Sequence, residues 1–417
     1  MRRYLIVVLA FSLIIPLWGC KSVSNLAIYN YANQYVETAN SGAPEVIPFA
    51  LNDSISHIYF RVPYSEFVYK PYGTGKIARA VFKLHYEVCT KYESIVIIDS
   101  GSFAFADSLH EGSGQMFNYE FDVKAAIGQN YLLSLTLTDK NKKSSYNSTF
   151  YINRKTAGSS GSFMASQSGV GLLYSSILKD KQQVVITSAD TTLKSIWVNV
   201  FRKKFPLPEP PFSTEVRPKF DYIPDSSFQL QLKKGISSPV ALKRMGFYFF
   251  RSDTTFREGF SLFRFSEGFP ELVNSRQLLG TLRYITSLKE FNEMSKRPDT
   301  RSAVDSFWLV TGGNIDRALI LIRDYYSRVQ RANVLFSSFT EGWQTDRGLI
   351  YIVLGPPNVV YRNNLQEEWV YGEAGNTRSM FFYFIKVENP FTNADYVLLR
   401  DPIMKQAWYM AVERWRR

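Results

Sequence analysis

Between Glu341 and Pro357, a tryptophan, two glycines, an Asp-Arg pair, an apolar run and a Gly-Pro-Pro stop fall within one short window. Glu341-Gly342-Trp343-Gln344-Thr345-Asp346-Arg347-Gly348 reads as a turn. Leu349 to Leu354 reads as the apolar strand leaving it, ended by Gly355-Pro356-Pro357, since proline cannot continue a ladder. Gly342 and Gly348 are expected to adopt backbone conformations closed to other residues. Trp343 is expected to plug a helix–sheet seam. Asp346 can accept backbone N–H groups of its own turn, or pair with Arg347 or with arginines of a neighbouring helix.

Upstream the hydrophobic period is helical. Glu271 to Met294 reads as helix, limited by Pro298. Asn314, after Gly312-Gly313, looks like an N-cap. Ile315, Ala318, Leu319, Ile322, Tyr325, Tyr326, Val329 and Phe336 follow at three- and four-residue steps. Arg317, Arg323, Asp324, Arg328 and Arg331 take mostly the other side, which predicts an amphipathic helix with a core stripe. Glu368 to Tyr371, Met380 to Val387 and Tyr396 to Arg400 read as further strands, and short connections favour an antiparallel meander covered by that helix.

The signature window resembles that of the GWxTD-domain proteins, a family of bacterial envelope proteins found largely in the Bacteroidota. Asp305-Ser306-Phe307-Trp308 and Glu367-Glu368-Trp369-Val370-Tyr371 also resemble the family's pattern. The resemblance runs from about Arg283 to Arg400 and is looser over residues 45–265. It implies architecture more than activity.

Before this block the chain is β-like. Phe82, Leu84, Tyr86 and Val88 alternate with Lys83, His85, Glu87 and Cys89, as in a half-buried strand. Tyr131 to Thr138, the Asp139-Lys140-Asn141-Lys142 turn and Thr149 to Ile152 suggest a hairpin. Residues 49–155 are therefore expected to form an immunoglobulin-like sandwich. Thr156-Ala157-Gly158-Ser159-Ser160-Gly161-Ser162 reads as a flexible linker by composition. A second small β-domain is expected over 163–268, with strands at 184–187, 195–200, 228–232, 246–250 and 260–263. Its segment from Pro206 to Pro224 carries six prolines, including Pro208, Pro210, Pro211 and Pro218. It is predicted to be a stiff extended excursion, either passive or docking a partner. The fold class is thus mainly β, closing in a C-terminal α+β domain over 269–417.

At the other end, Arg2 and Arg3 precede an apolar stretch, Tyr4 to Leu17, too short for a bilayer-spanning helix of about 20 residues. This order of basic and apolar regions is that of a secretory signal. Leu17-Trp18-Gly19-Cys20 resembles a lipobox, which implies cleavage after residue 19 and lipidation (palmitate among the chains) of Cys20. Lys21 at the second mature position, and a Lys21 to Asn25 run without acidic residues, resemble outer-membrane lipoproteins that face the periplasm. Residues 20–48 are expected to be anchor and tether, with a short helix around Leu26 to Val36.

Cleavage takes the formal charge from +12 to +10. Such a balance suits anionic lipid, peptidoglycan carboxylates or acidic proteins, but the cations are dispersed, and no nucleic-acid motif is present. With Cys20 acylated, Cys89 stands alone, so no internal disulfide is expected and stability must come from a core rich in aromatic residues. His57, His85 and His110 lie far from the signature and show no metal-ligand spacing, so no metal or cofactor is expected. Cys89 and His85 on one strand would stand about 13 Å apart, too far for a dyad. Carboxylate chemistry is the open catalytic route: Asp346, Glu341, Glu367 and Glu368 surround the signature, and paired carboxylates cleave glycosides without histidine. Trp343, Tyr351, Trp369 and Tyr371 could equally stack against a sugar or build a core. The reading that best combines these features is a non-catalytic outer-membrane lipoprotein, an adaptor or accessory subunit of an assembly for outer-membrane protein insertion or secretion. Peptidoglycan or glycan binding and a carboxylate glycan hydrolase are the alternatives.

Overall fold

The computed structural model describes residues 26–36, 42–71, 78–108, 115–179, 182–218, 220–255, 257–373, 376 and 379–417. The expected signal sequence, Cys20, the Lys21 to Asn25 run and His110 lie outside the described residues. Among those described, no helix is long and apolar enough to cross a membrane.

Two antiparallel sheets open the fold. One has the order β1 (Glu45–Ala50), β2 (Ile55–Pro63) and β6 (Met116–Lys124). The other runs β3 (Lys70–Pro71), β4 (Ala78–Cys89), β7 (Gln129–Asp139) and β8 (Ser144–Arg154), with β5 (Asp99–Ser108) also paired to β4. Period-two alternation decides which faces meet. Ile58, Phe60 and Val62 of β2 share one core with Phe82, Leu84 and Val88 of β4 and Leu133 and Leu135 of β7. That is a sandwich-like packing of the expected kind.

Nine strands form the next sheet. Its order is β10 (Gly171–Leu172), β9 (Phe163–Gln167), β11 (Gln183–Ser188), β14 (Ile236–Ser237), β13 (Ser226–Lys233), β12 (Ser195–Phe201), β16 (Gly246–Arg251) and β17 (Phe260–Arg264). The remaining strand, β15 (Val240–Ala241), pairs with β11. The segment read as a flexible linker is packed instead. Ser159 is fully buried and its hydroxyl accepts from the Thr156 amide at 2.9 Å. A Cβ on Gly161 would stand 2.4 Å from the Asn153 carbonyl oxygen. Small residues here serve close approach, not looseness.

The C-terminal unit is helices around a meander. The helices are α1 (Ser275–Thr281), α2 (Leu288–Ser295), α3 (Thr300–Gly312), α4 (Ile315–Phe336), α5 (Asp346–Leu354) and α6 (Lys405–Arg416). The sheet order is β18 (Val359–Arg362), β19 (Gln366–Tyr371), β20 (Met380–Lys386) and β21 (Tyr396–Leu398), antiparallel as expected. Asn314 caps α4, its side chain accepting from the Arg317 amide. Ala318, Tyr325, Tyr326, Val329 and Phe336 form the buried stripe, but Ile315 and Leu319 are exposed at the start of the helix. The single helix read over 271–294 is two short ones, each closed at its N-terminus by a reciprocal side-chain cap, Asn274 with Gln277 and Ser287 with Glu290.

Two expectations are overturned here. Leu349 to Leu354 is helix, not strand. Thr345 takes the N-cap position, its hydroxyl accepting from the Gly348 amide at 3.0 Å, and Asp346 complements the N-terminal dipole. Gly355, at φ +86°, ends the helix, so Pro356-Pro357 stops a helix. The expected tether is also docked. Short 3-10 turns at Leu26–Ile28 and Ala32–Tyr35 replace the predicted helix, and Tyr31 and Tyr35 are buried in the C-terminal core. The chain enters β1 at Glu45, before the expected end of the tether at 48. The proline-rich excursion lies against the same unit: Arg400 donates to the Glu209 carbonyl, Asp401 to that of Pro211, and Arg217 pairs with Asp395 at 2.8 Å.

Candidate functional site

Signature residues are placed by α4, α5 and the turn between them. Gly342 and Gly348 have no positive φ. Their expected conformational role is replaced by a steric one. A Cβ on Gly342 would stand 1.9 Å from the Ala332 carbonyl oxygen, and one on Gly348 2.0 Å from that of Gly342. Helix α4, the turn and α5 thus meet backbone to backbone. Buried Asn333 ties them further, accepting from the Trp343 amide at 3.0 Å and donating to the Pro270 carbonyl at 2.9 Å.

Trp343 packs not at the helix–sheet seam but over α1, beside Gly280 and the Tyr284 ring. Its indole N–H donates to Glu341 Oε2 at 2.8 Å, and Glu341 Oε1 accepts from the Ser266 amide at 2.9 Å. Glu341 therefore joins the turn to the end of β17.

Asp346 and Arg347 point to different partners. Asp346 Oδ2 accepts from the Leu398 amide at 2.8 Å, and Oδ1 from Arg400 at 2.5 Å. It bonds to strand β21, not within its own turn, and pairs with neither Arg347 nor a helix arginine. Arg347 donates to Glu367 and to the Ala394 carbonyl, and its guanidinium lies 4.2 Å from the Tyr396 ring centroid.

Glu367, fully buried, is the centre of this network. Arg347 and Arg362 each reach its Oε2 at 3.3 Å. Its Oε1 accepts from the Trp369 indole at 2.7 Å and from the Tyr35 hydroxyl. Arg362 in turn donates to that hydroxyl at 2.7 Å, and Tyr351 donates to the Tyr35 carbonyl at 2.9 Å. Burial works to raise the Glu367 carboxyl, but Arg362 and Arg347 outweigh it and hold the group below its ordinary range. Burial pushes the Tyr35 phenol up. The product is an ionised carboxylate with its lone pairs occupied.

Tyr351, Trp369 and Tyr371, the residues that could have formed a stacking face, are all buried, as is Trp343. They pack as core: Trp369 touches Phe336 and Phe384, and the Tyr371 hydroxyl donates to the Gly355 carbonyl at 2.7 Å. Glu368 alternates to the opposite face of β19 and stands across from Tyr383. The signature thus brings Asp346, Arg347 and Glu367 into the protein interior, with Glu341 at its edge and Glu368 apart. Elsewhere, His57 contacts Asp122 and Glu120, His85 contacts Ser102, and Cys89 is buried and free. A separate cleft of about 300 Å³ lies between the first sheets and the second, lined in part by Tyr151, Asn153, Phe163, Tyr174 and Ser175.

Sequence reasoning missed Tyr31, Tyr35, Arg362 and Arg400. The four-residue spacing of the two tyrosines was a visible signal of a buried face, but nothing local tied it to residues over three hundred positions away.

This geometry belongs to a domain defined by a cohesive internal signature. Residues 246–417 match the model of the GWxTD domain, so this part of the chain is a GWxTD domain. The match starts at β16 and so takes in two strands of the nine-stranded sheet, beyond the Arg283 to Arg400 span of the resemblance. No curated protein matches the chain.

Proposed function

We propose that this protein is a non-catalytic lipoprotein of the outer membrane, anchored through Cys20 and facing the periplasm. It serves as adaptor or accessory subunit of a membrane-protein assembly for insertion or secretion. The observation that carries this reading is where the signature's polar atoms go. Glu341, Asp346, Arg347 and Glu367 are bonded to the chain's own backbone, to Tyr35, to Trp343 and Trp369, and to Arg362 and Arg400. A general acid needs a raised pKa, whereas Glu367 is held low. These residues work as a clasp. A surface for a partner is available elsewhere: at the α3–α4 hairpin, Leu309, Val310, Ile315, Leu319 and Ile320 are exposed together, unlike apolar residues scattered singly.

Affinity purification from detergent-solubilised outer membranes tests this. A stoichiometric membrane partner, lost with Val310→Asp and Leu319→Asp, is expected. Recovery of a lone protein that cleaves peptidoglycan would contradict it. A second reading, glycan binding, is favoured by the cleft, where Tyr151 and Tyr174 stand with Asn153 and Ser175. Binding of soluble muropeptides, abolished by Tyr174→Ala, would support that reading.

A further inference from the structure

The strap of residues 26–36 does more than fill a groove. Its Ala27 amide donates to the Tyr92 carbonyl at 3.0 Å, and the Tyr92 amide donates to Asn364 Oδ1 at 3.2 Å. Tyr31 donates to the Val360 carbonyl at 2.8 Å, and Asn30 Oδ1 accepts from the Val360 amide at 3.0 Å. Three separate pieces of chain, namely the strap, the loop after β4 and the β18–β19 turn, therefore meet at one junction. Close in sequence to the bonded Ala27, Tyr92 and Asn364 are large apolar side chains that the core does not use. Leu365 is 73% exposed, Ile28 71%, Val96 65% and Ile95 60%, with Tyr29 beside them at 46%.

What covers this junction is indicated by where the chain comes from. Cys20 stands six positions before Leu26, and six residues reach about 20 Å at full extension. An acylated Cys20 therefore keeps the junction next to the leaflet that holds its lipid chains. We propose that the junction rests on that leaflet, with Ile28, Ile95, Val96 and Leu365 at the headgroup–acyl boundary. Tyr29 suits the headgroup level, where amphipathic rings collect. The anchor then does not dangle a free body. It orients the GWxTD domain, and α4, some 33 Å long, separates its membrane-side end from the α3–α4 hairpin. The proposal rests on the reading of Cys20 as lipidated.

The test uses full-length acylated protein in vesicles of phosphatidylethanolamine and phosphatidylglycerol. An environment-sensitive fluorophore is placed in turn at Ile95→Cys, Leu365→Cys and, as a comparison, Val310→Cys. Cys89 is buried, with its thiol pushed up to about 11 by burial, so the introduced cysteines take the label. Emission at positions 95 and 365 should shift to the blue and be quenched by doxyl lipid, with neither change at 310. Mass spectrometry of the same sample reports Cys20. Acylated protein whose labels at 95 and 365 stay as wet as that at 310 overturns this inference alone. Labels that lose water only in native outer membranes, and not in vesicles, assign the junction to a protein partner and also overturn it. An unacylated Cys20 overturns the anchor and the inference together.

Discussion

At the signature, each residue is constrained by what it touches rather than by what it could react with. Gly342 has no room for a methyl group: the Ala332 carbonyl oxygen would be 1.9 Å away and is held in α4. Gly342→Ala should therefore force the turn off α4 and lower the melting temperature, a loss measurable by circular dichroism. Trp343→Ala empties the space over Gly280 and Tyr284, and a buried aromatic truncation costs about 3–5 kcal/mol, to be read from denaturant unfolding. Glu367 carries the sharpest pH signature. Its folded pKa lies below the ordinary value of 4.5, so its ionisation stabilises the fold above that value. That contribution is lost as pH falls through the lowered folded pKa. Glu367→Gln should leave Arg347 and Arg362 buried without their counter-charge, a loss of about 3–5 kcal/mol near neutrality. The stability gap between parent and variant should then narrow as pH falls below 4.5. A gap that stays constant across that range would remove the ionised glutamate from the account.

Among the elements, the strap is the one whose role was least legible. Tyr31 and Tyr35 could be seen as a spaced aromatic pair, but the groups that receive them, Val360, Arg362 and Glu367, come from β18 and β19. Tyr35→Ala should release the segment, detected as faster amide exchange over 26–36 and a new protease-sensitive site there. Helix α5 was misread for a different reason. Leu349 to Val353 is apolar on every side because it is buried on every side, and a short all-apolar run has no period to separate helix from strand. The useful signals were at its ends, Thr345 as N-cap and Gly355 as terminator. Strands such as β2 and β4 were legible because each buries one face and leaves the other wetter, and the Asn314 cap because it stands where the apolar period of α4 begins. The linker was misread because glycine and serine mark close packing as readily as looseness, and composition alone does not separate the two.

Over the whole molecule, the GWxTD domain gathers distant chain onto itself. The strap enters beside Glu367, and the proline-rich excursion is held by Arg400. Asp346 is central to this clasp, since it receives both the Leu398 amide and the Arg400 guanidinium that also reaches Glu209. Asp346→Asn in the full chain, followed by thermal melting and by complementation in the same cells, is therefore the most direct measurement. Loss of the charge-assisted bonds predicts about 1.5–3 kcal/mol of destabilisation, with abundance and function falling together. A variant that melts like its parent or higher, yet fails to complement, would contradict the clasp and return Asp346 to chemistry.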